Sequence, residues 1–113
     1  MAKFRVQRIQ QMVEEDFCRC ADYENPWHGI GPENVLDCFI RPPRSMRFVE
    51  MTKVGFVWLW AVFDERPGEP DGFLIVFDPR QSMYGLATKP RGRRHGRFRG
   101  FSGRTIGEAI QSM

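Results

Sequence analysis

Two apolar runs joined by an acidic loop constrain the fold of this chain more than any other feature. The runs cover residues 54–63 and 73–77, and neither alternates with polar residues. Strands that are apolar on both sides are central strands, covered on both faces. The connecting sequence DERPGEPDG is charged and rich in proline and glycine, as a surface loop is. The pattern therefore predicts an antiparallel hairpin at the centre of a sheet.

Further strands can be placed beside this hairpin. Residues 45–51 and 83–88 have the composition of strands, and Phe98 and Phe101 favour a short fifth strand. The sheet then has three to five strands. Their order stays open, because neighbours in a hairpin do not fix where the first and fourth strands lie.

Helical patterns flank the strands. Apolar residues recur at helical spacing over residues 5–21, and a short second helix is expected over residues 32–40, where a proline takes the first position. A third helix begins near Thr105, because Thr-Ile-Gly-Glu has the pattern of a capping box. The sequence thus predicts one α+β domain over residues 1–113. It is an antiparallel sheet of three to five strands with an N-terminal helix, a short second helix and a C-terminal helix packed on it.

Strand 54–63 has two apolar faces that need cover. Strict alternation places Phe56, Trp58 and Trp60 on one face, and Val57, Leu59 and Phe63 on the other. If the helices cover only one face, the other is a large exposed apolar patch, which normally marks an interface. A homodimer is one expectation from this pattern.

The charge of the chain is concentrated in residues 80–104. This segment contains eight Lys or Arg residues and no Asp or Glu, whereas the remainder has nine basic against fourteen acidic residues. A +8 segment and a −5 remainder therefore give the formal net charge of +3. Such asymmetry predicts contact with an anionic surface, inside the molecule or outside it.

The basic, arginine- and glycine-rich part of this segment covers residues 89–104. Within it, residues 91–101, Arg-Gly-Arg-Arg-His-Gly-Arg-Phe-Arg-Gly-Phe, resemble in composition the arginine–glycine segments of RNA-binding proteins. Guanidinium groups match phosphate oxygens in pairs, and aromatic rings stack on unpaired bases. We therefore expect a small binding protein that contacts an anionic macromolecule, nominally a nucleic-acid backbone, with little base specificity because no sequence-reading helix is evident. The candidate contact residues are Arg91, Arg93, Arg94, Arg97, Phe98, Arg99 and Phe101.

Other interpretations of the same residues stay open. The arginines or an aromatic sheet face could serve a protein–protein interaction module, such as a small bacterial regulator, adaptor or toxin-neutralising protein. The segment could instead be a solvated loop, or it could pair with the acids of residues 64–71. Phe98 and Phe101 could be core residues of a short strand. A small enzyme or ligand-binding domain is a further alternative.

Three cysteines and two histidines are the candidate metal ligands and nucleophiles. Cys18 and Cys20 lie two positions apart on a predicted helix, where side chains point about 200° apart, so they cannot share a zinc ion with His28 and Cys38 unless the helix has ended by then. Neither His28 nor His95 has a motif partner. The sequence therefore predicts no catalytic residue, no metal site and no cofactor.

The chain also shows no membrane or secretory signal. Its longest apolar block, residues 54–63, is shorter than the roughly 20 residues of a membrane helix, and its N-terminus is charged throughout. We therefore expect a cytoplasmic protein that does not contact a membrane. Three cysteines, an odd number, suit a reducing compartment.

Overall fold

The two apolar runs form adjacent antiparallel strands, β2 (Phe56–Asp64) and β3 (Phe73–Asp78), in a computed structural model of the protein. The structure describes residues 6–20, 35–50, 54–92 and 94–113, without the side chain of Cys20. The other elements are helix α1 (Val6–Cys20), strand β1 (Phe39–Glu50), strand β4 (Met83–Thr88), strand β5 (Arg97–Gly103) and helix α2 (Ile106–Ser112). None of the described helices is long and apolar enough to cross a membrane.

The five strands close into a barrel in chain order. Consecutive strands are antiparallel, so the first and fifth run in the same direction and close the barrel as a parallel pair. This seam joins Val49 to Arg97 and Glu50 to Phe98. The predicted sheet thus reaches its upper limit of five strands, and the closure is a feature that the sequence did not reveal.

Two apolar clusters cover the two faces of the hairpin. Seven residues fill the barrel interior: Phe48, Leu59, Ala61, Leu74, Val76, Ala87 and Phe98. Outside the barrel, α1 and α2 pack against a second cluster that contains Val62, Phe63, Ile75, Phe77 and Tyr84. The prediction that strict alternation places Phe63 beside Leu59 is wrong, because the ladder shifts register between Ala61 and Phe63. Such a bulge turns two consecutive side chains toward the helices.

The predicted second helix is wrong in the part that the structure describes. Residues 32–34 lie outside it, and the next four residues form a single 3-10 turn, Val35–Cys38, before β1 begins at Phe39. The sequence Arg41-Pro42-Pro43 favours extended backbone, since a residue before proline avoids the helical region. Phe39 then packs edge to face against Phe17 and Phe63, with ring centres 5.1 and 5.2 Å away.

The C-terminal helix begins where its capping box predicts. The Thr105 hydroxyl accepts a hydrogen bond from the Glu108 N–H at 3.2 Å. A second group satisfies another N–H of the first turn, because the buried carboxylate of Asp16 accepts from Ile106 N at 2.7 Å. This bond ties the start of α2 to α1.

Candidate nucleic-acid interface

The acidic loop between β2 and β3 engages one cation of the basic segment. Lys89 Nζ lies 2.7 Å from Asp64 Oδ1 and donates to the backbone carbonyls of Arg66 and Glu69 at 2.7 and 2.8 Å. The Lys89 side chain is only 10% exposed. The interpretation that the segment pairs with the molecule's own acids therefore holds for Lys89, whose ammonium group has no donor left for an external ligand.

Four arginines of the candidate set remain exposed. Arg91 and Arg94 belong to the turn before β5, whereas Arg97 and Arg99 alternate with the buried Phe98 along β5 and so face outward. Within the described ranges, none of the four forms an ion pair with a carboxylate; the ion pairs found there belong to Arg19, Arg41, Arg66 and Lys89. Arg93 lies outside the described residues.

Backbone hydrogen bonds hold the arginine turn against the barrel. Arg91 and Arg94 bond to each other through their backbones at 3.2 and 2.9 Å. The Gly96 carbonyl accepts from Val49 N at 2.9 Å, and a side chain at Gly96 would clash with the Thr88 carbonyl oxygen. Only glycine permits this close approach. The arginines are therefore presented from an anchored turn.

The two candidate phenylalanines lie toward the inside of the barrel. Phe98 is buried in the interior cluster, and the half-buried Phe101 packs against that cluster. Their rings meet edge to face with centres 5.0 Å apart. A ring enclosed in the barrel offers no face to a base, so this arrangement matches the alternative interpretation, in which both are core residues.

Among the described residues, the exposed Phe and Trp rings lie instead on β2. Phe56 is 54% and Trp58 is 65% exposed, whereas Trp60 packs partly against the cluster under the helices. The Arg47 guanidinium, on the neighbouring strand β1, lies 4.6 Å from the Phe56 ring centre and 6.0 Å from that of Trp58. Such distances correspond to cation–π contacts.

Barrel closure brings the basic segment to these rings. The His95 ring meets Phe56 edge to face at 5.2 Å, and its Nε2 accepts a hydrogen bond from Arg47 Nη2 at 3.2 Å. Arg97 pairs with Val49, which in turn pairs with Phe56, so these residues form one row across β5, β1 and β2. We call this set the ring–arginine surface: Arg47, Phe56, Trp58, His95 and Arg97.

The contact of Arg47 with the Phe56 and Trp58 rings was not predicted from the sequence, because Arg47 lies outside the basic segment. The available signal was period-2 alternation in Arg47-Phe48 and Arg97-Phe98-Arg99, which places every arginine on the outer face once the phenylalanines are buried.

The basic surface continues on the other side of β5. The Arg99 guanidinium lies 5.9 Å from the Phe73 ring centre. Arg91 and Arg99 also line an open groove of about 380 Å³ beside Phe73 and Thr88. The exposed arginines thus extend from the ring–arginine surface across β5 to the open end of the β3–β4 hairpin, where Phe73 and Thr88 lie.

The described side chains include three of the candidate metal ligands and nucleophiles: Cys18, Cys38 and His95. No group of three or more His, Cys, Asp or Glu side chains among the described residues is placed to hold a metal ion. Burial, reinforced by the charges of Asp64, Asp37 and Glu65, raises the pKa of the Cys38 thiol to about 11. Cys38 is therefore protonated at neutral pH and is a poor nucleophile.

Comparison of the chain with protein-family models, curated proteins and solved structures found no significant match.

Proposed function

We propose that this is a non-enzymatic binding protein whose exposed arginines contact the phosphate backbone of a nucleic acid. The supporting observation is that only one of the basic side chains named here is paired within the molecule. Lys89 is paired with the acidic loop. Among the described residues, no carboxylate pairs with Arg91, Arg94, Arg97 or Arg99. Guanidinium forks suit phosphate oxygens, and the anchored turn reduces the ordering cost of binding. A cytoplasmic location, expected from the sequence, is compatible with such a ligand.

The number of exposed arginines sets the expected salt dependence. If each of the four neutralises one phosphate of a single strand, the slope of log K against log salt is about −2.8. Affinity then falls roughly 50-fold between 50 and 200 mM salt.

A rival function uses the same surface against a protein. Exposed aromatic rings beside arginine are typical anchors of protein interfaces, and Phe56, Trp58 and Arg47 form such a set. The partner would be an acidic protein, bound by a small regulator or adaptor, or a second copy of this chain.

The test is titration of the protein with labelled single- and double-stranded DNA and RNA at several salt concentrations. Changing Arg97 and Arg99 together to Gln should flatten the slope by about 1.4, because two phosphate contacts are lost. Arg80→Gln is a single-charge control, since Arg80 is exposed in the β3–β4 turn, whereas Arg97 and Arg99 flank Phe98, which pairs with Ala87 near the other end of β4.

Two outcomes contradict the proposal. One is the absence of binding to every nucleic acid at low salt, which leaves the protein partner as the better hypothesis. The other is the same loss of affinity per arginine removed in the Arg80 variant and in the double Arg97 and Arg99 variant, which would reduce the effect to net charge.

A further inference from the structure

We propose that the ring–arginine surface stacks an unpaired base on Trp58, so that the preferred ligand is a single-stranded nucleic acid. This inference rests on the proposed function, because the same strand must also meet the arginines. It adds a second contact, to bases instead of phosphates, at residues outside the basic segment.

The first observation is the position of Trp58 on β2. The helices cover the outer side of this strand at Val62 and Phe63 and, in part, at Trp60. Two residues earlier, Trp58 is 65% exposed, on the same outer side. Most of this indole is therefore open to a ligand even though the Arg47 guanidinium lies 6.0 Å from its ring centre. The strand is already ordered, so binding has to fix only the side chain.

The second observation is the charge around the rings. Arg47 lies over the Phe56 ring and near Trp58, and His95 forms a hydrogen bond with Arg47. Arg97 lies on β5, which β1 separates from the strand of Phe56, so the two residues are about 10 Å apart across the sheet. Neither Arg47 nor Arg97 forms an ion pair with a carboxylate in the described part of the chain. Rings bordered by unpaired cations match a polymer whose bases are flat and whose backbone is anionic.

These two observations favour a single strand over a duplex. A base within a duplex is already stacked on its neighbours and presents only its edge to a protein, whereas an unpaired base can lie flat on an indole. A duplex could meet the arginines through its phosphates but could not use Trp58. An acidic protein partner could contact both the arginines and the rings, but a surface made for such a partner has no reason to distinguish oligothymidine from a strand without bases.

The experiment compares three probes with the same protein: oligothymidine, an abasic strand of the same length, and a duplex. The abasic strand keeps every phosphate and lacks every base. Wild-type protein should bind oligothymidine about 5- to 150-fold more tightly than the abasic strand, the factor expected for one stacked base. Oligothymidine should also quench tryptophan fluorescence, whereas the abasic strand should leave it nearly unchanged.

The decisive variant is Trp58→Thr, which removes the ring and retains a residue that favours strands. It should bind oligothymidine no better than the abasic strand, with duplex affinity unchanged. Trp58→Phe should retain part of the preference. Leu36→Thr is a matched control, because Leu36 is likewise 52% exposed and lies in the 3-10 turn, outside the ring–arginine surface.

The outcomes separate this inference from the proposed function. Equal wild-type affinity for oligothymidine and for the abasic strand contradicts base stacking and leaves the phosphate contacts intact. Binding of none of the three probes contradicts both. If Trp58→Thr fails to fold, base stacking is still tested by comparing oligothymidine with the abasic strand in the wild-type protein and in Trp58→Phe. A light-scattering mass of two chains that Trp58→Phe reduces to one would show instead that the surface joins two copies, and the inference would be wrong.

Discussion

Lys89 and Arg97 both belong to the basic segment, and the structure predicts opposite consequences of replacing them. Lys89→Met retains most of the aliphatic chain and removes the ammonium group. That group lies within 2.8 Å of three acceptors, and the Asp64 side chain that receives it is only 20% exposed. The substitution therefore removes the Lys89 donor from the Glu69 carbonyl, and it leaves Asp64 and the Arg66 carbonyl with only the N–H groups of Arg66 and Glu69, at 2.9 and 3.1 Å.

The size of the effect follows from these contacts. A hydrogen bond to a charged group contributes about 1.5–3 kcal/mol, and ordering a lysine side chain costs up to about 2 kcal/mol. The loop lies at the surface, so water can replace part of what is lost. We expect Lys89→Met to lower the free energy of unfolding by about 2–4 kcal/mol, a large share of the roughly 5–15 kcal/mol typical of a domain.

Urea denaturation followed by tryptophan fluorescence measures this loss, with an unchanged m-value as the sign that the two-state transition is preserved. Asp64→Asn completes a double-mutant cycle, because the amide oxygen can still accept the Arg66 N–H that Asp64 Oδ1 binds at 2.9 Å. The coupling between the two positions should exceed about 1 kcal/mol.

Arg97→Gln is the matched control for stability, because Arg97 is exposed and lacks a carboxylate partner among the described residues. It should change the free energy of unfolding by less than about 0.5 kcal/mol. The salt slope of nucleic-acid binding should change in Arg97→Gln and not in Lys89→Met. A loss in Lys89→Met no larger than that in Arg97→Gln would refute the division of the cations into paired and available ones.

Three further predictions concern the scaffold. Asp16→Leu should lower the free energy of unfolding in urea by about 2 kcal/mol, and Asp16→Asn by less, because an amide oxygen can still accept from Ile106 N; equal losses would contradict this account of the bond. Gly96→Ala should cost more than about 1 kcal/mol in a thermal melt, because the added methyl group clashes with a strand carbonyl; an unchanged melting temperature would refute the close approach. Iodoacetamide at pH 8 should label the exposed Cys18 and spare the buried Cys38, as read by peptide mass. Since folding raises the pKa of Cys38 from 9.0 to about 11, the stability that its protonated thiol contributes is present below pH 9 and is lost between pH 9 and 11. The Cys38→Ala variant should lack this pH-dependent loss of stability.

The elements of this fold differ in how well local sequence defines them. The strands β2 and β3 were predictable because residues that are apolar on both sides have few other places in a small domain. The start of α2 was predictable because Thr105 and Glu108 define a cap within four residues. In both cases the information lies in neighbouring residues.

Other features depend on residues far apart in the chain. The pair Val49–Arg97 closes the barrel, but neither residue carries a pattern that points to the other. The bulge before Phe63 interrupts alternation inside a uniformly apolar run, where one register resembles the next. The exposed rings could be predicted only as one of two candidate faces, because the choice depends on where the helices dock.

The proposed ligand would stabilise the barrel at the parallel seam between β1 and β5. This seam is the shortest ladder of the barrel, with Val49 and Glu50 opposite Arg97 and Phe98, and it therefore offers the least resistance to transient opening. A nucleic-acid strand bound to Arg97 on β5 and to Arg47 on β1 would hold the two sides of this seam together. The amide proton of Val49, which donates to the Gly96 carbonyl across this seam, should then exchange with solvent more slowly when oligothymidine is present, because the bound strand opposes opening of the barrel.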